Sequence, residues 1–169
     1  MDFQELSRAR YSCRRYRSEP VEEEKLARVL EAARLAPTAC NLQAFKLYVI
    51  PTVGHEDDVR RLYDHGDWLT QAPLLIGIAG NPAANWKRLD GHSYVDVDCA
   101  IVMDHLILQA ADLGLGTCWI GAFDAAAARR LLELPAGWEP VAFTPLGYPA
   151  DAGRAKARKP LDEILVRMQ

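Results

Sequence analysis

What the chain lacks narrows the field first. It has no apolar run of the roughly 18 residues that a membrane-spanning helix needs. It has no excess of positive charge: 20 Lys and Arg stand against 23 Asp and Glu, for a net charge of -3. That leaves no overall basic field to hold nucleic acid. Its four cysteines, Cys13, Cys40, Cys99 and Cys118, form no CxxC pair, and no histidine stands at metal-ligand spacing beside one. They read as small, reduced, buried residues rather than as disulfides or zinc ligands. The N-terminal stretch MDFQELSRARYSCRRY is charged throughout and lacks the apolar core of a secretory signal, so a cytoplasmic protein is expected.

Signature motifs are missing as well. Asp96, Asp98, Asp104 and His105 follow neither HExxH nor ExxH spacing, which argues against a metal site. The absence of a GxSxG elbow argues against a serine hydrolase. His55, His65 and His92 fall in loops or at element edges, where exposure is the default. Without internal repeats, low-complexity tracts or a dividing linker, residues 1–169 read as one domain.

Hydrophobic patterning then supplies the elements. Asp2–Arg8 reads as a short helix. Val21–Ala36 carries Leu26, Val29, Leu30 and Ala33 at helical spacing; Glu22, Glu23 and Glu24 suit its N-terminus, and Pro37 stops it. Lys46–Pro51 is rich in strand formers, Asp57–Asp64 reads as a helix and Trp68–Gln71 as a helical turn. Pro73–Gly80 is a continuous apolar run, as a buried strand is. Val95–Leu113 is a long helix with few polar positions, hence buried on most sides. That fits the central helix of a monomer or a helix partly covered by a second subunit. Thr117–Ile120 reads as a strand, Ala125–Leu132 as a helix, Trp138–Leu146 as a strand, and Leu161–Val166 as a short amphipathic segment. Interleaved helices and strands give a mixed α/β or α+β layered domain.

Four constellations stand out. Arg10-x-Ser12-x-Arg14, followed by Arg15, brings guanidiniums and a hydroxyl together. In an extended segment residues 10, 12 and 14 share one side. Such donors suit a phosphate, although a solvated basic surface has the same composition. The loop Ala36–Gln43 places Asn41 and Gln43 after a stopped helix. Their amides suit the polar edge of a heterocycle or the hydroxyls of a ribityl chain, and equally the local backbone. Gly114–Gly121 (GLGTCWIG) has glycines that admit a flat ligand, or that cap a helix ahead of a core strand, but fits neither the dinucleotide nor the P-loop spacing. Lys156-Ala157-Arg158-Lys159 adds phosphate donors or a solvated tail.

Taken in order, these pieces resemble the nitroreductase family of FMN enzymes over nearly the whole chain. The resemblance is carried by Arg10-Tyr-Ser12-Cys-Arg14-Arg15-Tyr16, by Ala36-Pro37-Thr38-Ala39-Cys40-Asn41-Leu42-Gln43-Ala44-Phe45 and by Trp68 with Ala72-Pro73. Gly114–Gly121, Leu146-Gly147-Tyr148-Pro149 and Lys156 with Arg158 complete it. It implies an α+β fold, a three-layer α/β/α sandwich with a mostly antiparallel sheet, built as an intertwined homodimer with FMN at the subunit interface. It implies that Arg10, Ser12, Arg14 and Arg158, with Lys156 in support, contact the phosphate and ribityl end. Pro37, Thr38, Asn41 and Gln43 would approach the flavin from the partner. The backbone of Ile120 and Gly121 would face the isoalloxazine, one amide donating toward N5. The implied chemistry is ping-pong: NADH or NADPH reduces FMN, and a small electron-poor acceptor (nitroarene, quinone or flavin) takes the electrons. A specialised member (dehalogenase, ene-reductase or flavin-cleaving enzyme) and a flavin-binding sensor or store without turnover are the alternatives. Two departures from the family pattern stand out: Ala44-Phe45 replaces Pro-Trp, and Gly80–Tyr94 is the one candidate for a roof over the substrate pocket.

Overall fold

The run Leu74–Gly80 has to be covered on both faces, and the fold is organised around doing so. In the computed structural model, which describes residues 1–154 and 156–168, this run is strand β2, buried along nearly its whole length. It pairs antiparallel with β1 (Phe45–Pro51) on one side and with β4 (Glu139–Gly147) on the other. The two-residue strand β3 (Gly116–Thr117) completes an antiparallel sheet of order β1-β2-β4-β3.

Side chains alternate across that sheet. One face carries Ile76, Ile78, Ala142 and Leu146 into a core with α2 (Glu23–Arg34) and α4 (Val95–Asp112). The other carries Leu75, Ile50 and Phe143 against α3 (Glu56–Leu62) and α5 (Ala125–Leu131). Helices on both faces of an antiparallel sheet make the three-layer α+β sandwich expected above. A short α1 (Phe3–Ala9), closed by an Asp2–Glu5 capping box, packs against α4. No described helix is long and apolar enough to cross a membrane.

Three sequence expectations need correction. Thr117–Ile120 is not a continuous strand: β3 ends at Thr117, and only an isolated bridge joins Ile120 to Phe143. Cys118 and Trp119 break the ladder because the Cys118 N–H turns instead to the Thr144 hydroxyl, at 3.0 Å. Leu161–Val166 buries no apolar face within the chain; Leu161, Ile164, Leu165 and Val166 are all exposed, and only Leu161–Glu163 is helical, as a 3-10 turn. Finally, Cys40 is exposed rather than buried; α4, by contrast, is buried on most sides as expected, through Val95, Cys99, Val102, Met103, Leu106, Ile107 and Ala110. Val97, Asp104 and His105 are exposed, and Ile101 and Leu108 only half-buried, forming a stripe down one side.

Gly77 shows how tightly the second core is filled. It lies opposite Phe143 across the β2–β4 ladder, and a Cβ placed there would come within 2.8 Å of the Phe143 ring. Gly77→Ala is expected to destabilise the fold by about 1–3 kcal/mol through overpacking, read as a lower urea midpoint at unchanged slope.

Candidate functional site

The segment from Arg10 to Arg17 is extended and is held on both sides by backbone. Ser12 bridges Thr117 in parallel, and the Cys13 N–H donates to the Thr117 carbonyl at 2.8 Å. Beyond it, Arg17 N–H donates to the Tyr148 carbonyl at 2.9 Å and Ala150 N–H to the Arg15 carbonyl at 2.8 Å. Cys13 and Tyr16 point inward and are buried, while Ser12, Arg14 and Arg15 are left on the surface. The close approach depends on missing side chains: a Cβ at Gly116 would lie 2.8 Å from the Cys13 sulfur.

The C-terminal stretch folds back over this segment. The Tyr11 hydroxyl donates to the Asp151 carbonyl at 2.5 Å, and the Lys156 ammonium donates to the Ser7 carbonyl at 2.6 Å. Gly153, at φ +71, lies flat on the Tyr11 ring, where a Cβ would be 2.3 Å away. The result is a cleft of about 630 Å³ lined by Arg10, Ser12, Arg14, Lys156 and Arg158, with Tyr11, Arg15, Asp151, Gly153 and Arg154. All five residues expected at the phosphate end therefore meet in one cavity, although residues 10 and 158 are far apart in sequence. Arg154 was not anticipated; its isolation between Gly153 and Ala155 gives no motif to find it by.

The cleft has a surplus of positive charge. Among the described residues none of Arg10, Arg14, Arg15, Arg154, Lys156 or Arg158 forms an ion pair, and Asp151 is the one carboxylate in the lining. Partial desolvation, and then the charges of Arg10 and Arg158, push the Lys156 ammonium below its ordinary pKa. An anion placed there would relieve that repulsion, so the donor set fits a phosphate. Arg14 also lies 5.8 Å from the centre of the Trp68 ring, which ties the cleft to the aromatic edge of the second core.

The second expected group is not brought to this cleft. Pro37, Thr38, Asn41 and Gln43 sit on the loop between α2 and β1, where Cys40, Asn41 and Gln43 have φ of 50, 54 and 50. Left-handed backbone at Cys40 and Gln43 costs roughly 1–3 kcal/mol each and needs support from around it. Part of that support is local: the Gln43 N–H donates to the Thr38 hydroxyl at 3.1 Å, and the Gln43 amide donates to the Asn41 carbonyl at 3.2 Å. The rest comes from Asp98 on α4, a residue sequence reading considered only for metal binding. Its carboxylate accepts from the Ala39 N–H at 2.9 Å and from the Asn85 amide at 2.8 Å, and it is buried.

The two half-sites thus lie toward opposite ends of one helix. Asp98 grips the loop near the start of α4, whereas Ala111, near its end, packs beside Arg10 and Tyr11. Thirteen residues of helix put about 20 Å between them. The third group, Ile120 and Gly121, does not line the basic cleft. The Ile120 N–H donates to the Phe143 carbonyl at 2.8 Å, and its own carbonyl accepts from Phe143 N–H at 3.0 Å. Its amide is therefore spent on the sheet. Gly121 N–H makes no backbone bond outside helices and strands among the described residues, so of the pair it is the free donor.

Comparison with known proteins places this arrangement. A family model described as Nitroreductase family matches residues 7–66 and 62–148. A nitroreductase family protein from Clostridium difficile 630 is 37% identical, covers 100% of this chain and 99% of its own, and superposes with a TM-score of 0.89. An FMN-dependent nitroreductase from Clostridium difficile R20291 is 28% identical, with 96% of each chain covered and a TM-score of 0.81. A Bacillus subtilis relative named as an NAD(P)H FMN reductase is 29% identical over 169 residues, spanning 90% of this chain and 68% of its own.

The clamp on the loop is directly testable. Asp98→Ala strands the Ala39 N–H and the Asn85 amide, and is expected to cost about 1–3 kcal/mol. Faster hydrogen exchange at Ala39 should accompany it. Asp98→Asn should cost less, because the Asn85 side chain can turn its Oδ1, which has no partner, toward the new amide.

Proposed function

The chain belongs to the nitroreductase family, and we propose that it is an FMN-dependent oxidoreductase in which NADH or NADPH supplies electrons to an electron-poor acceptor such as a nitroaromatic, a quinone or a free flavin. The observation that carries this reading is the basic cleft that Arg10, Ser12, Arg14, Lys156 and Arg158 form together. A phosphate monoester carries roughly -1.5 to -2 charge near neutral pH and matches that donor set. The FMN and NAD(P)H in the relatives' names support the same assignment.

When bound, FMN supplies the hydride chemistry, and the protein supplies anchoring, orientation and polarisation. Arg10, Arg14 and Arg158 hold the phosphate, with Lys156 adding charge, while the Ser12 hydroxyl donates beside them. The free Gly121 N–H offers a donor for the N5 edge. The Pro37–Gln43 loop, with the exposed Asn41 side chain at its crest, meets the ring from a second copy of the chain. No acid–base side chain is assigned, since water or a ribityl hydroxyl can deliver protons.

The reading includes a homodimer. One chain cannot bring its own loop to its own basic cleft across about 20 Å of helix. Two copies with α4 antiparallel would set each cleft beside the other's loop. The open stripe Val97, Ile101 and Leu108 and the exposed tail residues Leu161, Ile164, Leu165, Val166 and Met168 give such a partner apolar surface to cover.

Three outcomes are expected. Purified protein should be yellow, and anaerobic NADH or NADPH should bleach it within seconds; bound flavin that resists both nucleotides would leave a storage or sensor module instead. Arg14→Ala, or Arg158→Ala, should weaken FMN binding by about one to two orders of magnitude, as loss of a charge-assisted contact of ~1.5–3 kcal/mol does. Co-expressing Arg14→Ala with Asn41→Ala should restore unmodified FMN affinity to one site per mixed dimer, where each variant alone binds more weakly at both, because that site keeps both halves intact. Failure of that complementation would count against the shared site.

A further inference from the structure

Between β2 and α4 the chain leaves the core as a hairpin. Its arms are joined by a bridge between Lys87 and Ser93 and by the Tyr94 N–H, which donates to the Trp86 carbonyl at 3.0 Å. Nearer the tip, Arg88 N–H donates to the His92 carbonyl at 2.9 Å, and Gly91, at φ +86, turns the chain. The Trp86 and Tyr94 rings are half-buried and meet edge to face across the arms, their centroids 5.0 Å apart. The hairpin is thus braced internally, and its direction is decided at its root.

That root is tied to the Pro37–Gln43 loop at both of the loop's ends. Asn81 N–H donates to the Ala44 carbonyl at 2.9 Å, just past the loop. Near the loop's start, the buried Asn85 donates its amide to one oxygen of the Asp98 carboxylate at 2.8 Å, and the other oxygen takes the Ala39 N–H at 2.9 Å. Gly80 packs so closely on Val95 that a Cβ there would run into the Val95 Cγ2, which draws the two ends of the excursion together. Asn85 makes this one side-chain bond among the described residues, and its Oδ1 is buried without a partner. An interior amide satisfied on one side only is costly, and an apolar residue would fill the same space without that cost. The bond to Asp98 is therefore what the amide contributes.

We propose that Asn85 is a positioning residue that, through Asp98, locks the Trp86–Tyr94 hairpin to the Pro37–Gln43 loop, making the hairpin a fixed platform for fused-ring acceptors. The proposal rests on the flavin reading, in which that loop meets the ring from a second copy of the chain. A wall joined to the loop stands beside whatever stacks on the ring. A one-ring acceptor is held by the flavin alone, whereas a fused-ring acceptor extends past it toward Trp86 and Tyr94. With the root locked, that contact is made against a surface already in place; with the root loose, the acceptor must order the hairpin as it binds.

Steady-state kinetics of the FMN-loaded protein with a one-ring and a two-ring quinone test this. Asn85→Ala is expected to raise KM for the two-ring quinone about fivefold, to leave KM for the one-ring quinone within about twofold, and to leave kcat and the rate of flavin reduction by the nicotinamide unchanged. The exchange Asn85→Asp with Asp98→Asn reverses the bond, since the amide now at position 98 can donate to the carboxylate at 85 while its oxygen still takes the Ala39 N–H. It is expected to restore the two-ring KM. Trp86→Ala removes part of the platform and leaves the root alone; it is expected to show the same selective loss, and with the exchange pair it carries the test if Asn85→Ala does not fold. Equal changes for both quinones, no change in either, or a fall in the two-ring KM would overturn the proposal. So would a lowered urea midpoint with the KM ratio unmoved, which is what a merely structural amide gives. Failure of the unmodified chain to bind FMN, or of its flavin to be reduced, would instead be a failure of the functional reading, seen before any variant is made.

Discussion

Everything at the basic end of the molecule depends on the backbone pairing of Ser12 and Cys13 with Thr117. That contact sews an N-terminal segment onto the short edge strand β3, and the alternation across it puts Cys13 inward with Ser12 and Arg14 outward. Cys13 and Tyr16 turn into the interior, where the Tyr16 hydroxyl donates to the Cys13 carbonyl at 2.8 Å. Ser12 and Arg14 are left facing away, and the fold-back of Asp151–Arg158 over Tyr11 then closes the cavity. Without the sewn strand the arginines would be the dispersed surface charges that their composition alone suggests.

The sequence was most readable where a local rule sufficed. Pro37 ends the second helix, whose last regular residue is Arg34; the apolar run at Leu74–Gly80 is the central strand, and the helix expected from Val95 begins there and runs to Asp112. The i, i+2 spacing of Arg10, Ser12 and Arg14 was also legible, because an extended chain needs no tertiary information to align them. Legibility failed where partners are distant. Cys118 leaves the ladder for a hydroxyl on another strand, which no window of neighbouring residues reveals. Asp98 sits in a helix pattern like any buried-helix acid, and its work on Ala39 and Asn85 exists only once α4 lies against the loop. Arg154 has no motif around it, and which of the Ile120 and Gly121 amides stays open is decided by the pairing of Ile120 with Phe143, a residue distant in sequence.

The two halves of the site obey different physics. The basic end tolerates imprecision, since several guanidiniums crowd one cavity and long side chains can adjust their reach. The loop end does not, because its shape depends on left-handed backbone at Cys40 and Gln43, steadied by a buried carboxylate with short, directed bonds. Surplus positive charge marks one end, and strained backbone shapes the other.

Helix α4 connects these halves, and its length has a meaning beyond packing. A residue added or removed between Asp98 and Ala111 would shift one end by about 1.5 Å and swing it by roughly 100° relative to the other. Neither change could be absorbed by a rigid rod locked against α2 and the sheet. The helix thus behaves as a gauge block that sets the span between the basic cleft at one end and the Ala39–Gln43 loop at the other. Freedom to vary in length lies instead in the hairpin of Trp86–Tyr94, whose tip at Leu89 is fully open to solvent. That tip can be lengthened or trimmed while the spacing underneath stays fixed.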